Sequence, residues 1–271
     1  FASSLDCVGV LARDVHDGAL ALSAIAGHDA CDAMSADMDT HNYTDLIGRD
    51  ADGMRVAVFP DARGGADMAV RAAADALQHA GARVEWEKLP FLREALAAYY
   101  VLSCAEASSN LARYDGLRFG ASAQGTRAEE IACRTRAEFF GGEVRRRILL
   151  GTYVLGAGDG ARYYAHADSF RRSVRAQFDA LFARFDMVLL PTAPGVAPRA
   201  EETFCAAEEY ACDLYTTCAN LAGLPAVSVP FGTDADGLPF GIQLMGARFS
   251  ERPLLCAAHI VREAGRGRRF V

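Results

Sequence analysis

The stretch from Met54 to Leu89 constrains the fold of this chain more than any other. Met54 to Phe59 (MRVAVF) is a short apolar run closed by Pro60. Residues 66–80 are rich in alanine and end at Gly81, and Val84 to Leu89 is a second run of strand type. Short apolar runs bounded by proline or glycine read as strands, and an alanine-rich segment with a glycine stop reads as a helix. The order is therefore β-α-β, and the helical crossover predicts a parallel pair.

The remaining segments extend this α/β pattern. Asp14 is a candidate cap for a helix over 14–27, and residues 28–50, polar and rich in Asp, read as a surface linker. Helices are predicted over 91–113, 127–138, 142–156 and 160–184, with a polar loop at 115–126. Met187 to Leu190 is a strand stopped by Pro191, and the three prolines and one glycine of 191–204 require a loop. A helix over 207–222 ends at Gly223, and strands 226–230 and 240–245 meet through an Asp236-Gly237 turn. A last helix, 251–264, stops at Gly265 before an Arg-rich tail. The reading is helix, β-α-β, a long helical insert, then β-α-β-β-α around a mixed sheet. No internal repeat and no clear linker divides it.

With 271 residues, 51% of them hydrophobic, there is ample material for a core. No run of eighteen apolar residues exists, which argues against a transmembrane helix, and the start lacks a signal-peptide pattern. A net charge of −7 excludes a surface that is basic throughout, as a general nucleic-acid clamp needs. The first residue is Phe1 rather than Met, so the sequence is expected to be part of a longer chain. Of 28 basic residues only Lys88 is a lysine. The eight cysteines contain no CxxC pair and the six histidines no HxxxH or HExxH pattern, so buried free thiols are expected and no metal site.

A nucleophile is hard to find. Ser3, Ser4, Ser108, Ser109 and Ser228 qualify by type alone, and none lies in a GxSxG elbow. Lys88 sits between Glu85, Glu87 and Leu89, where neighbouring carboxylates keep it protonated, whereas a catalytic lysine needs burial or cationic neighbours. The glycine cluster Gly151–Gly160 follows a helical stretch, so it suits a helix break better than a phosphate loop.

Five segments carry a resemblance. They are FASSLD (1–6), EASSNLARYDGLRFG (106–120), EVRRRILLGTYVLG (143–156), PTAP (191–194), and NLAGLPAVSVP (220–230) together with GLPFGIQLMG (237–246). In this order the chain resembles the amidase signature family from Phe1 to about Ala264. The second and third segments are similar to those of one branch, the glutamine-hydrolysing A subunits of aspartyl/glutamyl-tRNA amidotransferases. The resemblance implies an α/β/α fold around a mixed sheet, with residues 1–271 forming the C-terminal part of a single amidase domain. It implies a Ser–cis-Ser–Lys triad that hydrolyses the glutamine side-chain amide. The ammonia then passes to the amidotransferase B subunit, which uses ATP and Mg to activate Glu or Asp mischarged on tRNA. The small C subunit lies at the contact between the other two. A cytoplasmic complex follows, with no cofactor in the glutaminase chain, no membrane contact, and an organelle left open.

The family's lysine and both serines would precede Phe1, so no catalytic role is carried to Ser3 or Ser4, and the isolated chain is expected to be inactive. Without its leading part it is also expected to expose sheet edges and aggregate. What the resemblance places here is glutamine recognition by Tyr99, Arg147 and Asp213. Arg147 suits the α-carboxylate, Asp213 the α-ammonium, and a tyrosine hydroxyl and ring the pocket wall. Each residue has a plainer reading. Tyr99 or Tyr100, between which the residues do not choose, fits a core aromatic, Arg145–Arg147 a solvated helix face, and Asp213 a charge interrupting an apolar helix that needs a partner. A stand-alone amidase and a non-catalytic scaffold remain the rival functions.

Overall fold

A computed structural model of the chain describes residues 1–60, 64–202 and 210–270. It divides into two compact units, Phe1–Cys7 with Arg93–Val174, and Val8–Leu92 with Arg175–Val271.

The second unit carries the sheet. Its elements are α1 (Val15–Ile25), β1 (Arg55–Val58), α2 (Gly65–His79), β2 (Arg83–Trp86), β3 (Met187–Pro191), α7 (Thr217–Ala222), β4 (Ala226–Thr233), β5 (Pro239–Gly246) and α8 (Glu251–Gly265). The strand order is β2-β1-β3-β5-β4. β1 pairs in parallel with both β2 and β3, and β5 pairs antiparallel with β3 and β4. The sheet is thus mixed, and the β-α-β unit is parallel as its helical crossover requires. Strand side chains alternate between faces. Val56, Val58, Met187, Leu189, Ile242 and Leu244 join Ala69, Val70, Ala73 and Leu77 of α2 and Leu254, Ala257, Ala258 and Val261 of α8 in one core. β3 is buried along its whole length, the expected fate of an unbroken apolar strand at the centre of a sheet.

Turn chemistry closes the β4–β5 hairpin. Asp234 Oδ1 accepts from the backbone N–H of Asp236 at 3.0 Å and of Leu238 at 2.8 Å, and Gly237 takes φ +85°. The 28–50 segment is mostly exposed, as a linker should be, but Tyr43 is buried in the core cluster and anchors it.

One element differs from its predicted form. The helix expected over 207–222 is broken: 210–211 and Thr217–Ala222 are helical, positions 212–216 are turns, and 207–209 lie outside the described residues. Asp213 and Thr216 explain the break, because short polar side chains offer the backbone local alternatives to the helix ladder. The Asp213 carbonyl accepts from Thr216 N at 3.2 Å and Thr217 N at 3.3 Å. Asp213 therefore lies in the turn that interrupts the helical stretch. The helix does stop at Gly223, which adopts the left-handed φ of +69°.

The first unit contains α4 (Ala128–Phe139), α5 (Gly142–Leu155) and most of α3 (Leu92–Leu111) and α6 (Asp159–Phe182). α5 meets α3 at Gly151, where a Cβ would overlap the Cys104 carbonyl oxygen and stand 2.6 Å from Ser108 Cβ. The glycine cluster thus serves close helix contact and, at Gly158 (φ +92°), the turn between α5 and α6. Residues 1–6 form a turn fastened to this unit. The Ser4 N–H donates to Glu106 Oε2 at 2.9 Å, its hydroxyl donates to Glu106 Oε1, and Arg171 donates to the Ser4 hydroxyl and carbonyl at 2.7 Å each.

Candidate functional site

In the first unit, Arg147 is the most enclosed of the three consecutive arginines. Its side chain is 20% exposed, against 37% for Arg146. Its Nε donates to Glu143 Oε1 at 2.6 Å, one helical turn back. The guanidinium carbon lies 5.4 Å from the Tyr100 ring centroid and 5.6 Å from that of Phe1, within cation–π range of both. Among the described residues, Nη1 and Nη2 of Arg147 make no hydrogen bond. The cation is thus oriented through Nε and two rings while its two-nitrogen edge stays available, the arrangement that receives a carboxylate bidentately.

The electrostatics agree. Burial works to lower the Arg147 pKa, but the bond to Glu143 and its charge outweigh it, so the guanidinium is held above its ordinary value. Burial likewise works to raise Glu143, and the bonds from Arg147 and Arg146 bring it below the usual carboxylate range. Arg146 donates to the other carboxylate oxygen of Glu143, its Nε at 2.8 Å. Arg146 is therefore spent on the helix surface, as the plainer reading of an arginine run expects.

Tyr99 and Tyr100 are both half-buried on α3, their rings meeting edge to face with centroids 5.4 Å apart. It is Tyr100 whose ring faces Arg147. Glu143 and Phe1 are partners the residue pattern alone did not single out, and Tyr100 stood there only as the alternative to Tyr99. The Glu143–Arg147 spacing of four was the available signal, since i and i+4 side chains share a helix face.

In the second unit, Asp213 is half-buried in the turn before α7. The next residue but one, Tyr215, is 3% exposed, and its carbonyl accepts from the buried Gln243 side chain at 2.9 Å.

Three of the five serines considered as nucleophiles have other partners. Ser108 Oγ lies 3.0 Å from Thr152 Oγ1, Ser228 Oγ lies 2.7 Å from Thr192 Oγ1, and Ser4 is held by Glu106 and Arg171. Lys88 is exposed beyond the end of β2, the solvated position its acidic neighbours predicted. Cys104, Cys218 and Cys256 are buried, whereas Cys7, Cys31, Cys133 and Cys212 are exposed, so burial holds for only part of the set expected; Cys205 lies outside the described residues. Among the described residues no cluster of three or more His, Cys, Asp or Glu side chains is arranged to hold a metal ion. No described helix is long and apolar enough to cross a membrane.

Residues 1–255 match the Amidase family. The chain is 41% identical over 271 residues to the A subunit of the glutamyl-tRNA(Gln) amidotransferase of Halothermothrix orenii, an alignment covering 97% of this chain and 57% of that protein. It is 44% identical to the corresponding protein of Lysinibacillus sphaericus, covering 97% of this chain and 55% of that one. The crystal structure of the A subunit of the Thermotoga maritima glutamyl-tRNA(Gln) amidotransferase superposes with a TM-score of 0.74 at 33% identity, covering 95% of this chain and 52% of that one. The chain spans a little over half the length of the relatives it matches. With its mixed sheet and with the family match running through more than nine-tenths of its residues, this chain belongs to the amidase family.

Proposed function

We propose that this chain is the glutamine-recognising part of the glutaminase component of a tRNA-dependent amidotransferase. The observation that carries the reading is the 41–44% identity, over 97% of the chain, to the A subunits of glutamyl-tRNA(Gln) amidotransferases. The two-nitrogen edge of Arg147, which makes no hydrogen bond among the described residues, supports it, because glutamine brings a carboxylate that such an edge can bind.

The division of labour follows from the substrate. Arg147 takes the α-carboxylate, Asp213 the α-ammonium, and a tyrosine of the Tyr99–Tyr100 pair walls the side chain. Holding both charged ends leaves the carboxamide as the only part free to meet a nucleophile, which fixes the reacting carbon by default. The serine and lysine chemistry belongs to the part of the relatives' length that this sequence does not span. Ammonia released there passes to the amidotransferase B subunit, which uses ATP and Mg to amidate Glu-tRNA(Gln) or Asp-tRNA(Asn), and the C subunit completes a cytoplasmic complex. The glutaminase component itself needs no cofactor.

The test is reconstitution of the full-length gene product with its B and C partners. Glutamine-dependent formation of Gln-tRNA or Asn-tRNA, with matching glutamate release, is the expected result. Ammonia release that never appears in a tRNA product would replace this reading with a stand-alone amide hydrolase. No amide hydrolysis at all would leave a scaffold.

A further inference from the structure

We propose that Gln243 is a positioning residue for recognition of the substrate ammonium group, acting through the Tyr215 carbonyl to hold the turn that carries Asp213. The inference rests on the assignment of Asp213 to glutamine's ammonium.

Gln243 is out of place by sequence pattern. Its strand neighbours Ile242 and Leu244 are fully buried, and Gln243 itself is 4% exposed. A buried side-chain amide costs about 1–3 kcal/mol unless it is hydrogen-bonded. An unbranched apolar residue of equal length would fill the same space without that cost. What the amide adds is one directed bond, from Nε2 to the Tyr215 carbonyl oxygen at 2.9 Å, reaching a segment 28 residues away in the chain.

Both ends of that bond are firm. β5 is paired on two sides, with Gln243 opposite Leu190 of β3 and Ser228 of β4, so its backbone is fixed by ladders on both edges. Tyr215 is 3% exposed. Asp213 follows its motion because the Asp213 carbonyl accepts from Thr216 N, Thr217 N and the Thr216 hydroxyl at 3.2–3.3 Å. Asp213 to Thr217 is therefore one closed turn, and those bonds are local: they set its shape but not its place against the sheet. The Gln243 bond ties that turn to the sheet. A charge that reads an ammonium must be held to within about 0.5 Å, which a loop does only when its support is built in. Gln243 need not touch substrate to do this.

The experiment uses the full-length, assembled enzyme and two ligands, glutamine and 4-carbamoylbutanoate, which is glutamine without its amino group. Asp213→Asn comes first. It should raise the KM for glutamine and leave the inhibition constant of 4-carbamoylbutanoate nearly unchanged. If both change alike or neither changes, the assignment of Asp213 falls, and the role of Gln243 falls with it. Given the expected outcome, Gln243→Met should raise the KM for glutamine about tenfold at near-constant kcat, in the range that misplacing a binding group by a fraction of an ångström produces. It should again spare 4-carbamoylbutanoate. An equal loss for both ligands would mean general loosening of the fold, and no loss for either would mean that the bond is idle; each overturns the proposal. If Gln243→Met does not fold, Gln243→Asn keeps the amide but shortens its reach, and the same selective loss is expected.

Discussion

At the residue scale, Arg147 shows how context picks one arginine from three identical neighbours. Glu143 takes its Nε, and the rings of Phe1 and Tyr100 lie within cation–π range of its guanidinium. Truncation to Arg147→Ala should raise the KM for glutamine in the full-length enzyme about a hundredfold, which corresponds to losing roughly 3 kcal/mol of charge-assisted bonding. Arg147→Lys keeps the charge without the fork and should recover only part of the loss. Arg146→Ala is the control, since Arg146 already bonds Glu143 at the surface, and its KM should stay within about twofold. Steady-state glutaminase kinetics separate the three; an unchanged KM in Arg147→Ala removes the carboxylate assignment.

At the scale of elements, two contacts decide how the segments fasten. Gly151 lies mid-helix, where alanine is intrinsically better by about 1 kcal/mol. Steric overlap reverses that preference, because a methyl there has to displace the backbone carbonyl of Cys104 on α3. Gly151→Ala should lose about 2 kcal/mol or more in urea unfolding, against the gain helix propensity alone would give. On the sheet, Asp186 precedes β3 and grips the start of β1, with Oδ2 accepting from the Arg55 N–H at 2.8 Å and Oδ1 from Nη2 at 2.8 Å. The Arg55 side chain holds the Asp186 carboxyl below its usual range, with burial opposing and the Arg55 N–H assisting. A lowered carboxylate pKa contributes stability that is present above the unfolded-state value and is lost as pH falls through the folded one. Asp186→Asn should therefore cost on the order of 1 kcal/mol at pH 7 for this largely exposed pair, and the difference from wild type should close as pH falls below the ordinary aspartate range. A penalty that is flat with pH would show that shape and not charge matters there.

At the scale of the whole molecule, thiol chemistry reports which parts are sealed. Burial pushes the Cys218 thiol up to about 12 and raises Cys104 and Cys256 as well. A thiol without thiolate and without access does not alkylate. Under native conditions at pH 8, iodoacetamide should label Cys31 and Cys133 and leave Cys104, Cys218 and Cys256 unmodified until denaturant is added. Peptide mass mapping checks this, and early labelling of Cys218 would contradict the sealed core. The sequence alone led to an expectation of buried free thiols; only packing sorts the three described cysteines that are enclosed from the four that face solvent.

The order of helices and strands was legible from the chain by itself, for a local reason. Pro60 and Pro191 end strands because they lack an N–H, and Gly223 ends a helix because it tolerates a positive φ. The motifs named the family for the same reason, since they are contiguous. Tertiary structure decided what depends on partners far apart in sequence. It broke the helical stretch before Gly223 at 212–216, where the Asp213 carbonyl accepts from Thr216 and Thr217 in a turn. It turned Tyr100 toward Arg147, a choice between adjacent tyrosines that spacing cannot make. It gave the amide of Gln243 a carbonyl 28 residues away. A hydrogen bond of that range leaves no period, spacing or propensity in the sequence; it exists only once the sheet has set both of its ends in place.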